Sequence, residues 1–515
     1  MARRGHAGWR GLRAAGRATG LALAAAVLLT GCSSTVAGRA TIAAPTATDA
    51  ATSAPTASSS VPPLSTTAPT GRPPTAPTGR ESSPAAPRQT PAGTTATTST
   101  TTDGPAALRA RHDAALAKLL TGLSAALVTG NQPTFLAPFA APLTGRVRHW
   151  FGNTRALGVD GALFAPSDDY SSGATDTAMT FTRTVVLGIR TPYDDEKSMP
   201  GISYLVTVSV PAGRGRQPVI TAWQPKYLGD PMNCDCTLQV AHDEHTAVVA
   251  DAADADLVFW SPAALRAGAG IDWARAQLTG TGLVAPRGSV VFLADKPFHW
   301  FLSNSAPPQA SNVTAGLVDA LGAYPGTEYS DQSRIVLLLQ SSDGSTVPND
   351  PRGRQYAEDV LTHESTHQVM NRNSTLPERS PNSPPTWVVE GIAVAVETLH
   401  RDALGDAGDI GYPEPNDPKN IEKQWFADHL GAQMPTPGQL YSKDGAGYYA
   451  IAGSVFRYLA QEYDYVTMMK IATSMYAKPA QNPFTAFPDP DHPGKVLSVA
   501  AAKSAWKNWF VTNYE

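Results

Sequence analysis

Two histidines four residues apart, His363 and His367, flank Glu364 in the stretch LTHESTHQVM (361–370). On a helix, residues at i and i+4 share one face, with Cβ atoms about 6 Å apart. Two imidazoles so placed can converge on one Zn²⁺ at about 2.0–2.1 Å. Glu364, next to the first of them, can reach a water held on that metal and take its proton. Two histidines do not complete such a centre, since catalytic zinc takes three protein ligands. Glu390 follows 23 positions after His367, inside WVVEGIAVAVE (387–397). The Ser- and Pro-rich run before it reads as a loop and a helix start, so Glu390 falls in the first turns of a second helix that can pack on the first.

The HExxH pattern resembles the signature of zincin metallopeptidases. Trp387, Glu390, Gly391 and Ala393 resemble the W-x-x-E-G-x-A pattern of the gluzincin branch, whose third zinc ligand is a glutamate. The resemblance implies His363, His367 and Glu390 as zinc ligands and Glu364 as general base. It also implies an oxyanion-stabilising tyrosine at the head of a later helix. In GYYAIAGSVFRYL (447–459), matching Tyr458-Leu459 to the family helix puts Tyr449 in that role, with Tyr448 as the alternative. Trp506, Trp509 and Phe510 resemble the terminal helix of peptidase MA-like domains, so the likeness covers about residues 240–515. The G-A-M-E-N motif of metal aminopeptidases is absent, which gives no support to amino-end specificity. H-x-x-G-x-x-H after the motif is absent too, against metzincins. Gly391 is expected to let the two ligand helices approach closely. Glu397 reads as an exposed acid in preference to a partner of the metal ligands.

The helix that must carry the histidines has its own start signal. Asn349-Asp350-Pro351 supplies an N-cap and a proline at the first helical position. Tyr356, Val360, His363, His367 and Met370 then recur at helical spacing. Strands are expected at 246–250, 289–294 and 334–339, with a short helix at 313–321. If the 334–339 strand lies at the sheet edge, it can pair with an extended peptide substrate. Beyond residue 350 the signals are almost all helix or loop.

Residues 105–230 read differently. A helix at 107–128 puts Leu108, Ala115, Leu119, Leu123 and Leu127 on one face, and a second covers 143–158. Period-two alternation at 178–190 and 202–210, then 219–223, predicts an antiparallel meander. This order resembles the cone-shaped nuclear-transport-factor-like fold, a fold that hosts both enzymes and inert adaptors. The expected fold class is therefore α+β: a cone-like accessory domain at 105–230, then a mainly helical, zincin-like domain with a small sheet at 231–515. Between them, Cys234 and Cys236 admit a local disulfide, free thiols, or a metal site with His242 and His245. The run HDEH (242–245) reads as a solvated turn.

Residues 1–17 are basic, and the 13 apolar or small residues that follow are too short for a ~30 Å bilayer core. They read as a secretory signal peptide at 1–31. Leu29-Thr30-Gly31-Cys32 resembles a bacterial lipobox, which implies cleavage before Cys32 and a diacylglycerol on its sulfur. Removing residues 1–31 takes five arginines and no acid, shifting the net charge from −4 to −9. Residues 33–104 are dominated by Ser, Thr, Pro and Ala, at 55 of 72 positions, and hold no aromatic residue. Such a segment cannot bury enough apolar area to offset its chain entropy, so 32–104 reads as a disordered tether. Net acidity excludes the basic excess of a nucleic-acid binder. Three cysteines exclude a disulfide scaffold.

These readings converge on a monomeric, lipid-anchored zinc peptidase at the outer face of a bacterial membrane. It would act on a peptide or protein and bind no nucleic acid. The competing reading is a catalytically silent zincin-like lipoprotein that serves as a binding or scaffold protein. An intact Glu364 beside complete ligands argues against that alternative.

Overall fold

The computed structural model of the chain describes residues 104–514, apart from loop stretches of which the longest are 295–315, 324–333, 375–383 and 406–422. The expected signal peptide, Cys32 and tether lie outside the described residues. From residue 105 onward the chain forms one compact unit of mixed helix and sheet.

Its first part holds α1 (Pro105–Val128), α2 (Gln132–Leu136) and α3 (Ala141–Ala156). The strands β1 (Gly161–Pro166), β2 (Thr175–Asp176), β3 (Thr180–Arg190), β4 (Pro200–Ser209) and β5 (Val219–Pro225) follow. The strands pair antiparallel, β1 with β3, β3 with β4 and β4 with β5. β4 buries every second residue, Ile202, Tyr204, Val206 and Val208, as its alternation predicts. The core face of α1 is rotated from the expected one. It is built on His112, Leu116, Leu120, Leu123 and Leu127, while Ala115 and Leu119 are only half-buried. The tertiary partner chose between two adjacent apolar stripes that periodicity alone could not rank.

The next part alternates strand and helix. β6 (Leu238–His242) and β7 (Thr246–Asp251) form a hairpin, followed by α4 (Ala255–Ala267) and α5 (Ala269–Ala276). Then come β8 (Ser289–Ala294), β9 (Gly316–Asp319), β10 (Gly322–Ala323) and β11 (Arg334–Leu338). The second sheet runs β6-β7-β8-β11-β9. β7, β8 and β11 are parallel, and β6 and β9 join antiparallel at the two ends. Two expectations fail here. The 334–339 strand is internal, held between β8 and β9, so it is not an edge. The region expected as a short helix at 313–321 instead holds β9, because backbone pairing with β11 outweighs a weak local helical pattern.

The parallel strands are buried on both faces, which is why β8 and β11 read as unbroken apolar runs. One face, with Val290, Phe292, Ala294, Val336 and Leu338, continues the core of the first sheet and α1. The other, with Val291, Leu293, Ile335 and Leu337, packs under Trp260, Tyr356, Val360 and Leu361 of the helices. The segment near 228–236, expected as a boundary, is stapled down. Buried Asp230 accepts from Trp150 Nε1 (2.8 Å) and Tyr204 Oη (2.5 Å). Asn153 Oδ1 accepts from the Leu238 amide at 2.9 Å. Cys234 and Cys236 are joined as a disulfide. His242–His245 is the β6–β7 turn, where Asp243 Oδ1 accepts from the His245 and Thr246 amides.

The remainder is helical: α6 (Pro351–Arg372), α7 (Thr386–Leu404), α8 (Lys423–His429), α9 (Pro437–Leu440), α10 (Gly445–Glu462), α11 (Tyr465–Ala477) and α12 (Val499–Tyr514). No helix among the described residues is long and apolar enough to cross a membrane. A buried, two-pronged ion pair ties the halves together. Arg334 of β11 donates to Asp194, after β3, at 2.8 and 3.0 Å. The neighbouring Asp195 pairs with Arg372 at the end of α6.

Candidate active site

α6 begins as expected: Asp350 caps it by accepting from the Gly353 amide at 2.8 Å, with Pro351 at the first turn. The helix is buried almost all round between residues 355 and 370, although that stretch is rich in polar side chains. The local solution is back-bonding. Thr362 donates to Glu358 O at 2.7 Å, while Ser365 and Thr366 donate to Thr362 O at 2.9 and 3.0 Å. Ser289 of β8 donates to Gln368 at 2.7 Å, fixing the helix beside His367 to the sheet. Gly270 lets α5 reach α6, because a Cβ there would collide with Thr362 and the Glu358 carbonyl.

α6 and α7 bring His363, His367 and Glu390 together, with one ligand atom from each lying within 4.8 Å of the others. Glu390 Oε2 lies 3.5 Å from His363 Nε2 and 3.6 Å from His367 Nε2. The imidazole rings stand 4.9 Å apart at 78°. All three residues are buried, as is Glu364. Burial alone would raise the Glu390 carboxyl. The facing imidazoles of His363 and His367 outweigh it and hold the group at about 2. It is therefore ionised at neutral pH.

The donor set fits zinc. Two imidazoles and a carboxylate converge, and among the described residues neither ring nitrogen of buried His367 has a partner within hydrogen-bond distance, Nε2 facing Glu390 Oε2 at 3.6 Å. Two uncompensated buried nitrogens beside a carboxylate are costly unless a cation completes them. Among the described residues no other group of three or more such side chains converges. Cys234 and Cys236 spend their thiols on their disulfide, the first of the three readings the sequence left open for them.

Glu397 is not the exposed acid the sequence suggested. It is buried, and its Oε2 lies 3.0 Å from His363 Nδ1. The carboxylate accepts, so Nδ1 carries the proton and Nε2 is left as the ligand atom. The position was misread because α7 is enclosed by both α6 and α10, leaving no solvent face at 397. Three further titratable side chains, missed in the sequence, lie near it. Asp359 accepts from Gln355 Nε2 at 2.8 Å and pairs with Arg401. Burial pushes Asp359 up to about 7 against the pull of Arg401, and the Glu397 charge adds to the rise. His400, packed against Trp273 at 5.0 Å, is held down at about 4 by burial and by Arg401.

Gly391 also acts elsewhere than expected. A Cβ there would lie 2.7 Å from the Ala452 carbonyl, so the glycine lets α7 approach α10, not α6. Tyr449 is buried three residues before Ala452 on α10. Tyr448 is half-buried in an aromatic group with Trp425 and His429, at ring separations of 5.1 and 5.8 Å. Trp387 packs on Phe456 of α10 (6.0 Å), and Trp506 of α12 donates to Ser454 at 3.0 Å. α10 is thus fixed from both sides.

No family model matches this chain, and no curated protein matches it in sequence.

Proposed function

We propose that the chain is a gluzincin-type zinc peptidase that hydrolyses peptide bonds. The observation that carries this reading is the buried convergence of His363, His367 and Glu390, with Glu364 on the same helix. His363, His367 and Glu390 would hold the zinc, which would supply Lewis-acid chemistry at the scissile carbonyl and the attacking water. Glu364 takes the proton of the attacking water and passes it to the leaving amine. Glu397 fixes the tautomer and orientation of His363. Tyr449 donates to the developing oxyanion, an interaction worth about 3–4 kcal/mol when preorganised. β9, at the end of the sheet and packed beside α6, offers its edge to an extended peptide in place of the internal 334–339 strand.

The location belongs to the same proposal. Lipid on Cys32 anchors a monomer at the outer face of a bacterial membrane, and residues 32–104 lift the body away from it. The antiparallel order of β1, β3, β4 and β5, with α1 packed along β1, supports a cone-like accessory domain.

The test is cleavage of a broad, unstructured peptide library by the purified protein. Activity should vanish on chelation and return with added zinc. Full zinc occupancy without cleavage of any library member would favour the silent scaffold.

A further inference from the structure

The facing sides of α6 and α7 carry a polar seam that runs on past the three converging ligand residues. Asp359, His363 and His367 recur every four residues along α6, so they share one face. Glu390, Glu397 and Arg401 follow one another at seven and four residues on α7, again along one face. Glu390 faces His363 and His367, Glu397 accepts from His363, and Arg401 pairs with Asp359. Four residues forward on α6, from Asp359 to His363, therefore match four residues back on α7, from Arg401 to Glu397. The helices run antiparallel, and the ion pair sits one turn from the bond that fixes the His363 ring.

That bond depends on the register of the two helices. The opposite side of α7 packs on α10, so α7 is pressed from behind but needs a separate contact to set its slide along α6. A small slide or roll would carry the Glu397 carboxylate off Nδ1, and hydrogen bonds weaken steeply once misaligned. Asp359 offers a fixed target: it is buried and held by Gln355 Nε2 of its own helix at 2.8 Å. Arg401 also stands one turn after Glu397, the spacing at which a helical acid and a following cation attract.

We propose that Arg401 is a positioning residue for the metal centre: by gripping Asp359 it sets the register of α7 on α6 and holds Glu397 against His363. The inference rests on the zinc-site reading above and adds a layer behind Glu397. Arg401 acts through Glu397, not on the metal.

Zinc affinity, measured on the full chain by competition with a chelator, tests this. The variants are Arg401→Met, Glu397→Ala, the two combined, and Arg457→Met. The last breaks another ion pair of α7, Arg457 to Asp402 at 2.7 Å, on the side of α10, and so reads general loosening. Arg401→Met should bind zinc roughly 10-fold more weakly, and Glu397→Ala roughly 10–100-fold. In the Glu397→Ala background, Arg401→Met should cost nothing further, because residues acting through one contact are not additive. Arg457→Met should keep the wild-type affinity. His400, 3.4 Å from Glu358 and 3.3 Å from Thr362, still ties this turn of α7 to α6 when Arg401 is replaced. Should Arg401→Met still fail to fold, Asp359→Asn added to it removes the uncompensated buried charge and should show the same loss of affinity. Wild-type affinity in Arg401→Met, or in that paired variant, beside a weakened Glu397→Ala would overturn the role of Arg401 and leave the metal centre standing. An equal loss in both backgrounds, or in Arg457→Met, would overturn it too, since the ion pair would then be an ordinary structural one. So would wild-type affinity in Glu397→Ala. Wild type that binds no zinc would overturn the zinc-site reading itself, and this inference with it.

Discussion

Glu364→Gln should reduce peptide cleavage by about 10²–10⁴-fold, the usual contribution of a general base. That is about 2.7–5.5 kcal/mol of barrier. The change is nearly isosteric, so α6 keeps its packing at a position that is fully buried. What is lost is the ability to hold a proton between attack and departure of the amine. The three ligand side chains are untouched, so zinc content should stay at the wild-type level. This separates the variant from any ligand substitution, which lowers metal content and activity together. A Glu364→Gln protein that cleaves at the wild-type rate would remove Glu364 from the mechanism.

Arg334→Ala should destabilise the fold by about 3–5 kcal/mol, because it leaves the carboxylate of Asp194 buried and uncompensated. Asp194 is fully buried and Arg334 is 3% exposed, so water cannot replace the lost partner. Asp194 also accepts from the Thr191 amide (2.7 Å) and hydroxyl (2.8 Å), so the whole turn after β3 is organised around it. With Asp195 gripping Arg372 from the adjacent position, this turn holds both β11 and α6, the helix of His363 and His367. The midpoint of chemical denaturation reads the effect. A loss below about 1 kcal/mol would place the pair among ordinary surface ion pairs.

The contrast between these two sites shows what a sequence can reveal. Glu364 and its histidines were legible because helical spacing converts directly into geometry, and Asp350-Pro351 announced the helix. Glu390 was legible through its own short pattern. Asp194 and Arg334 were not, since they lie 140 residues apart and neither carries a local signal. Glu397 was misjudged because exposure on α7 depends on α6 and α10 together, and sequence periodicity counts one core-facing side at a time. Gly391 was correctly read as a close approach but assigned to the wrong neighbour, which no local pattern could name. β9 was taken for a helix because its four residues gain their pairing from β11, a long-range partner. The rotation of the α1 face has the same cause. Periods and caps are local, whereas the choice of partner is tertiary.

The central claim is that His363, His367 and Glu390 hold one zinc ion. Elemental analysis of the purified protein after removal of loosely bound metal tests it most directly. Wild type and Glu364→Gln should each carry about one zinc per chain, and His367→Ala should carry none. Zinc-free wild type after reconstitution in excess zinc, or His367→Ala retaining zinc at the wild-type level, would contradict the account.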